Sequence, residues 1–533
     1  MTTKIKKLLK TIPYKDILII LISGAILSLA FIKYQLGWIM LFGAVPFFWY
    51  ISNLEKRKLT NKQFIMRVWG VGVVFFAITV SWIYTIRATD LIADPWLRWL
   101  FLFLTLAIIV LIYSSGFLLF AYLFRKLRLS LDKPSSFLII PAIWIVGEYL
   151  RSIIFSIVWI GDGASIGDYW NFGNFGFGAS VTPMVYAGRL IGVYGLSFLV
   201  VLLNLAIFQL IFGKRKKQAI AVLVIVALIP SLGFMLYKTP ASSKYSKVGL
   251  SFIESDYTIN GKYETPLKES ILNKGSGNPS LLIMPEYSGF LEEDYAQPED
   301  KEISKLIFQN NPNGKVISSQ SVYRSEGRSN AVVLLDKDGN IIESQDKQFL
   351  IPGGEYVPYF YQGILVASGN SGFVVAHQKD KTLLKGADKA KPIEIDGIKY
   401  GVLACSGAIA PNYYRQVTKD GAEILINVAS IASMGLDGFY FEQSKQMVRF
   451  QAVANSRVFL QSARGGQSYI IDRNGKFVLE SQGKKTQYYS SELISDSTIT
   501  LYTFLGEWVL ALSLAGLVGY TSFLIYKNKR NKN

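Results

Sequence analysis

Three residues of this 533-residue chain stand where covalent chemistry could be done: Glu286, Lys347 and Cys405. Glu286 closes the apolar run LLIMPE, Cys405 closes YGVLACS, and Lys347 directly precedes FLIPGGEYVP. Short apolar runs bounded by Gly, Pro or polar residues read as β-strands. Polar groups at strand ends, followed by Gly or Pro, are where α/β folds put reacting groups. A thiol needs a base to become a nucleophile and a cation to hold the charge that develops. The chain has one histidine, His377, so a carboxylate and a lysine are the natural partners for Cys405. A plain reading stays open on spacing alone: a lone Cys at a strand end is usually a small buried hydrophobe, and Glu286 and Lys347 would also suit surface turns.

The same counts exclude other chemistries. One Cys and one His cannot build a zinc site of several such ligands, nor an intrachain disulfide. A Ser-His-Asp triad would have to use His377, which lies in FVVAHQKD with nothing in its spacing to mark it. The Gly-rich ASGNSGF (367–373) lacks the Lys-Ser/Thr of a phosphate loop, and Arg464-Gly-Gly is too short for a phosphate cradle. No metal or other cofactor is expected.

These residues must be positioned by something that is partly in a bilayer. The chain is 51% hydrophobic and 18% charged, with a mean hydropathy of +0.30, against about 25% charged in an ordinary soluble domain. Eight apolar runs are long enough to cross: roughly 17–35, 36–51, 68–86, 99–124, 136–157, 190–212, 219–237 and 508–526. The net charge of +18 is no sign of nucleic acid. Five stretches abutting these runs (1–16, 52–67, 125–133, 213–217 and 527–533) carry 22 Lys/Arg against three acids, which accounts for the whole excess. Basic residues mark cytoplasmic ends, so both termini are expected inside and the long segment after the seventh span outside. The first run has no small-residue cleavage site after it and reads as an anchor, not a signal peptide. The expected organisation is a seven-helix transmembrane bundle over 1–237, an extracytoplasmic domain over 238–499, and a last helix with a basic tail over 500–533.

Within 238–499 short β-rich runs alternate with polar or helical stretches, with hairpin signals at Asp338-Gly339, Asp396-Gly397 and Asn474-Gly475. Residues 438–457 turn helical. Strands interleaved with helices predict one α/β or α+β sandwich domain.

The order strand-Pro-Glu, Lys-x-x-[LI]-x-P-x-G-E-[FY]-V-P, strand-Cys resembles the nitrilase superfamily. With seven spans before it and one after, the chain is similar to the apolipoprotein N-acyltransferase family, its membrane-embedded branch. KQFLIPGGEYVP (347–358) is the most specific stretch; WIVGEYLR (144–151) and GVYGLSFLVVLLN (192–204) are similar to family segments in the membrane part. The resemblance implies an αββα sandwich with Glu286, Lys347 and Cys405 as the catalytic triad and Glu355 as the glutamate that accompanies it. It also implies a fatty acyl transfer through a Cys405 thioester, with a membrane phospholipid as donor and a diacylglyceryl apolipoprotein as acceptor, in a monomer of the bacterial inner membrane. Ser406-Gly407 stand where an aromatic and a glutamate are usual, and Asn427 is kept in INVASI without the usual Trp-Phe pair. Ala454, Gln461 and Arg464 also differ from the family pattern. Ser406, Asn427, Met434 and Leu436 are the candidate substrate contacts, the last two in an apolar loop, Ser430–Tyr440, expected to cover the cleft. Rival readings are a membrane-anchored nitrilase-like amidase, a non-catalytic lipoprotein- or lipid-binding relative, and, from the intramembrane acid and base Glu148 and Arg151, a transporter.

Overall fold

Apolar runs of about twenty residues are stable in a bilayer only when every backbone group is bonded within the segment, as a helix does. Each of the eight runs is helical in the computed structural model, which describes residues 13–86, 94–239, 246–255, 281–286, 314–367, 369, 371–372, 374–375, 383–387, 389–431, 434, 438–483 and 485–530. The helices are α1 (Tyr14–Ile32), α2 (Val45–Glu55) with the 3-10 segment Tyr34–Leu41 before it, α3 (Asn61–Thr79), α4 (Pro95–Lys126), α5 (Ser136–Val158), α6 (Gly188–Ile211) and α7 (Lys216–Tyr237). The eighth span lies in a helix near the C-terminus, Trp508–Arg530. Local chemistry sets several of the boundaries. Thr60 and Gln63 form a capping box at the start of α3. Asp94 caps α4 ahead of Pro95, whose missing N–H costs nothing at that position. With 32 residues α4 is about 48 Å long, more than the roughly 30 Å of hydrocarbon, so its first turns stand clear of the core. These turns carry an exposed aromatic stack, Trp96 on Trp99 on Phe103, with ring centroids 5.5 and 5.7 Å apart. Helices α4 and α5 touch backbone to backbone at Gly116 and Gly147, where a Cβ on either would lie 3.1 Å from the other's carbonyl oxygen.

Among the described residues, twelve strands follow the seventh span. In chain order they are β1 (Lys247–Glu254), β2 (Leu281–Glu286), β3 (Lys315–Arg324), β4 (Gly327–Leu335), β5 (Ile341–Asp346), β6 (Ile393–Ile395), β7 (Ile398–Ala404), β8 (Ile424–Ser430), β9 (Val458–Arg464), β10 (Tyr469–Ile471), β11 (Phe477–Glu480) and β12 (Gln487–Ile494). They form two six-stranded sheets, β12-β1-β2-β3-β4-β5 and β11-β10-β9-β8-β7-β6. In each sheet the middle strands are parallel: β1-β2-β3 and β7-β8-β9. Alternate residues of the two sheets meet face to face in one core, Phe252, Ile283 and Val332 from the first against Val402, Ile426 and Leu460 from the second. Helix α8 (Tyr359–Ala367) meets the membrane helices through Tyr361, α9 (Pro411–Lys419) and α10 (Phe439–Ala454) flank the second sheet, and α11 (Trp508–Arg530) returns to the membrane. The fold is a bundle of membrane helices joined to an α/β sandwich, as the patterning predicts.

The two parts share a hydrophobic core. Thirteen of the sixteen residues of α10 are buried, which a helix on the outside of a sandwich would not allow. One side packs on the second sheet at β9; the other meets α1 and α6 and the short turn before α6, where Phe450 lies edge-on to Phe177. Polar side chains fix the seam: Gln443 and Gln446 donate to the carbonyls of Thr79 (2.7 Å) and Ala30 (2.6 Å) at the ends of α3 and α1.

Candidate active site

The reacting groups gather at the carboxyl ends of parallel strands, where side chains project beyond the last ladder hydrogen bond. Pro285 lacks an N–H, and the β2–β3 register slips between Ile283 and Glu286. After the slip Glu286 still pairs with Ser319 on β3, and its side chain lies in a buried site at the strand's end. One of its oxygens accepts from Lys347 Nζ (3.1 Å) and Asn330 Nδ2 (2.6 Å), the other from the backbone N–H of Ser430 (3.0 Å). Lys347 follows β5; its backbone N–H donates to the carbonyl of Asn330 (2.7 Å), and its ammonium also donates to Glu355 (2.7 Å). A buried lysine between two carboxylates is the arrangement burial demands, since an unpaired ion there would be costly.

Glu355 is held by the loop that carries it. Its second oxygen accepts from the N–H of Ile351 (2.8 Å), closing a tight turn in which Gly353 takes φ +80°. Only glycine adopts that conformation freely, which accounts for the Gly-Gly-Glu run. Burial pushes the Glu355 carboxyl up; Lys347 draws it back down, and Glu286 adds to the rise.

Cys405 sits at a sharp elbow. The chain is extended at Ala404 (φ −84°, ψ 135°) and turns at Cys405 to φ +37°, a region uncommon for a residue with a Cβ, before the 3-10 turn Cys405–Ile409. The Asn427 amide braces this elbow by donating to the carbonyls of Leu403 (3.1 Å) and Cys405 (3.2 Å). The Ser406 hydroxyl ties it to the lysine loop through the carbonyl of Phe349. The Cys405 thiol donates to the carbonyl of Ser430 (3.4 Å), the residue whose N–H binds Glu286. Thiol and carboxylate are therefore held by the same residue. Burial pushes the Cys405 thiol far up, the Glu286 carboxylate adds to this, and Lys347 opposes it. Both upward influences favour the neutral thiol, so chemistry at this sulfur would need a base to take its proton.

A cavity of about 310 Å³ opens beside the elbow. Ser406, Tyr440 and Met434 line its catalytic end, and Ile83, Leu102 and Ile109 belong to its membrane-helix wall. Its polar groups are few. The Tyr361 hydroxyl, from α8, shares a hydrogen bond of 2.6 Å with Thr105 on α4. The cavity joins the reacting groups to the bundle.

The four residues expected to be catalytic, Glu286, Lys347, Cys405 and Glu355, are thus brought together. Of the expected substrate contacts, Ser406 and Met434 line the cavity. Asn427 is fully buried behind the elbow, with its amide on backbone carbonyls; it positions Cys405 and does not face the cavity. Leu436 and His377 lie outside the described residues, as does most of the loop between Ser430 and Tyr440. Sequence reasoning missed Asn330, whose amide holds Glu286 and whose oxygen accepts from Ser319 (2.6 Å). An Asn within a strand carries no mark of that role; only cross-strand register reveals it. Among the described residues no three His, Cys, Asp or Glu side chains converge as a metal site.

Comparison with known proteins agrees with this geometry. Residues 23–206 match the apolipoprotein N-acyltransferase N-terminal domain, and residues 280–501 match the carbon-nitrogen hydrolase family. The apolipoprotein N-acyltransferase of Geobacter metallireducens is 26% identical over 87% of this chain and 86% of its own length. That of Haemophilus ducreyi is 22% identical over 95% and 96%. A carbon-nitrogen hydrolase crystal structure from Helicobacter pylori G27 aligns with 46% of this chain and 88% of its own, at 21% identity and a TM-score of 0.33. With both family domains in one chain, in this order, and full-length relatives of one kind, the chain belongs to the apolipoprotein N-acyltransferase family.

Proposed function

We propose that this protein moves a fatty acyl chain from a membrane phospholipid to the N-terminal amine of a diacylglyceryl-cysteine lipoprotein, through a thioester on Cys405. In the first half-reaction the Cys405 sulfur attacks an ester carbonyl carbon while Glu286 takes the thiol proton. Lys347 and a backbone N–H after β7 hold the oxyanion, and one such donor is worth about 3–4 kcal/mol. The carbon–oxygen bond then breaks, Glu286 returns the proton to the departing glycerol oxygen, and a lysophospholipid leaves. In the second, the lipoprotein's α-amine attacks the thioester and gives up a proton to Glu286. The carbon–sulfur bond breaks, an amide forms, and Cys405 recovers its proton. Glu355 keeps Lys347 in place throughout.

The observation that carries this reading is the apolar cavity, walled by membrane helices and ending beside the nucleophile. Drawing acyl chains into water costs about 0.8 kcal/mol per CH₂, so a site working on such chains has to meet them in the bilayer. An amidase acting on soluble amides needs no such wall. The basic stretches flanking the spans support a multi-pass inner-membrane protein with the sandwich on the extracytoplasmic face. The test is expression in cells depleted of their own N-acyltransferase, with lipoprotein N-termini read by mass spectrometry. N-acylated termini are expected with the native chain and absent with Cys405→Ser; full acylation with Cys405→Ser would refute the assignment.

A further inference from the structure

The membrane segment WIVGEYLR holds an acid and a base that the chemistry above leaves unused. Glu148 and Arg151 are one turn apart on α5, and both are buried. They do not pair directly. One Glu148 oxygen accepts from Trp144 Nε1 (3.1 Å) and from the backbone N–H of Phe175 (2.9 Å). Arg151 Nη2 donates to Asn174 Oδ1, and its guanidinium lies 4.5 Å from the Phe76 ring centroid and 5.1 Å from that of Tyr113. The Ser197 hydroxyl, which accepts from the Gly176 N–H (2.8 Å), lies beside the Glu148 carboxylate, but Glu148 Oε2 and Arg151 Nη1 themselves make no hydrogen bond of good geometry within the protein. Both residues line the same void of about 10 Å³.

A void of that size accommodates roughly one water, provided polar groups face it. An unmatched carboxylate oxygen and an unmatched guanidinium N–H are such a pair, and at membrane depth each would be expensive if left bare. The partners of the two side chains show what they hold. Asn174 and Phe175 end the loop containing Trp170 and Phe172, which line the acyl cavity. Trp170 packs on Phe349 (5.2 Å), two residues after Lys347, and accepts at its carbonyl from the Tyr113 hydroxyl (3.1 Å). Phe172 packs on Tyr440 (6.1 Å).

We propose that Glu148 and Arg151 bind one buried water between them, and that this clamp positions the Trp170–Phe172 wall of the cavity against the catalytic loops. They are positioning residues, reaching the substrate only through that wall. The proposal rests on the reading of the cavity as the acyl site, and it gives the intramembrane acid–base pair a role other than a transport path.

The test uses the full chain in lipid nanodiscs, with acylation of Cys405 followed by mass spectrometry. Two donors are compared, a dipalmitoyl phospholipid and a short-chain soluble thiol-reactive ester. Arg151→Met and Asn174→Ala should each slow acylation from the phospholipid by about tenfold or more, since small displacements of a binding wall carry costs of that order. Acylation by the short ester should stay within about twofold, because the wall does not hold it. Arg151→Lys, which retains a donor and the charge, should recover part of the phospholipid rate. Asn174→Ala leaves both charges in place and serves if Arg151→Met fails to fold. A high-resolution map should show a water within hydrogen-bond distance of Glu148 and Arg151. Equal slowing with both donors, or none with either, overturns the clamp and leaves the acyl-transfer reading standing; an empty void overturns the bridging water. A native chain that reacts with the short ester and never with phospholipid overturns the acyl-donor reading, and the clamp with it.

Discussion

At the scale of single residues, the proposed chemistry turns on Lys347. It joins Glu286 to Glu355 and is the cation that opposes the upward shift of the Cys405 thiol. Lys347→Met should cut acyl-enzyme formation by about 10²–10³. It should also slow iodoacetamide alkylation of Cys405 at every pH from neutral to mildly alkaline, because the thiol is then still harder to ionise. A structural lysine would leave that pH profile in place. Glu355 makes a different prediction. Its carboxyl sits above the ordinary value of 4.5 through burial, so the folded state binds its proton more tightly than the unfolded state does. The stability it contributes is fully present below the unfolded value and is lost as pH rises through the folded one. The native chain should therefore lose stability relative to Glu355→Gln as pH rises through the carboxyl's range, read as Tm of both at each pH. Activity of Glu355→Gln should be lost even where its Tm holds.

At the scale of elements, the elbow after β7 depends on its neighbour β8. Register pairs Leu403 with Asn427, which puts that amide behind the nucleophile. Asn427→Ala strands two buried carbonyls at a bend the backbone resists, at a cost of about 1–3 kcal/mol in stability. Because the displaced group is the attacking sulfur, kcat for acyl transfer should fall by roughly 10–10² with KM nearly unchanged. A fall confined to KM would show that Asn427 acts on substrate instead. The strand-end placement of Glu286 has a comparable origin: Pro285 breaks the ladder, and Asn330 on β4 catches the carboxylate.

At the scale of the whole molecule, the sandwich and the bundle share one core through α10, so neither is complete alone. The polar seam at Thr79 and Ala30 and the buried faces of Met447 and Phe450 would all meet water if the bundle were removed. Residues 246–500 expressed without the spans should therefore be insoluble or bind a hydrophobic dye strongly, whereas a domain tethered merely by an anchor would be soluble and monomeric. Light scattering and dye fluorescence of the isolated segment decide between these. The shared core also bears on mechanism, because the cavity is walled from both sides and exists only when they are joined.

Much of this was legible in the chain itself. Eight helices follow from apolar length, because a bilayer accepts little else. Glu286, Lys347 and Cys405 stood out as candidates because strand ends and loop glycines leave local marks in the sequence, and the structure places them together. What needed the tertiary structure were contacts between distant segments. Asn330 under Glu286, the shared Ser430 backbone and the Arg151–Asn174 clamp each join residues whose separation carries no periodic signal. Asn427 looked like a substrate contact by its place in a loop motif, and the strand register turned its amide to the backbone. Sequence determined which segments are long and apolar enough to cross a membrane and which residue types are candidates to react, since those depend on local hydrophobicity and residue type. Only tertiary packing decided the surroundings of the thiol and the wall of the cavity, since burial and juxtaposition arise when sheet, α10 and membrane helices close on one another.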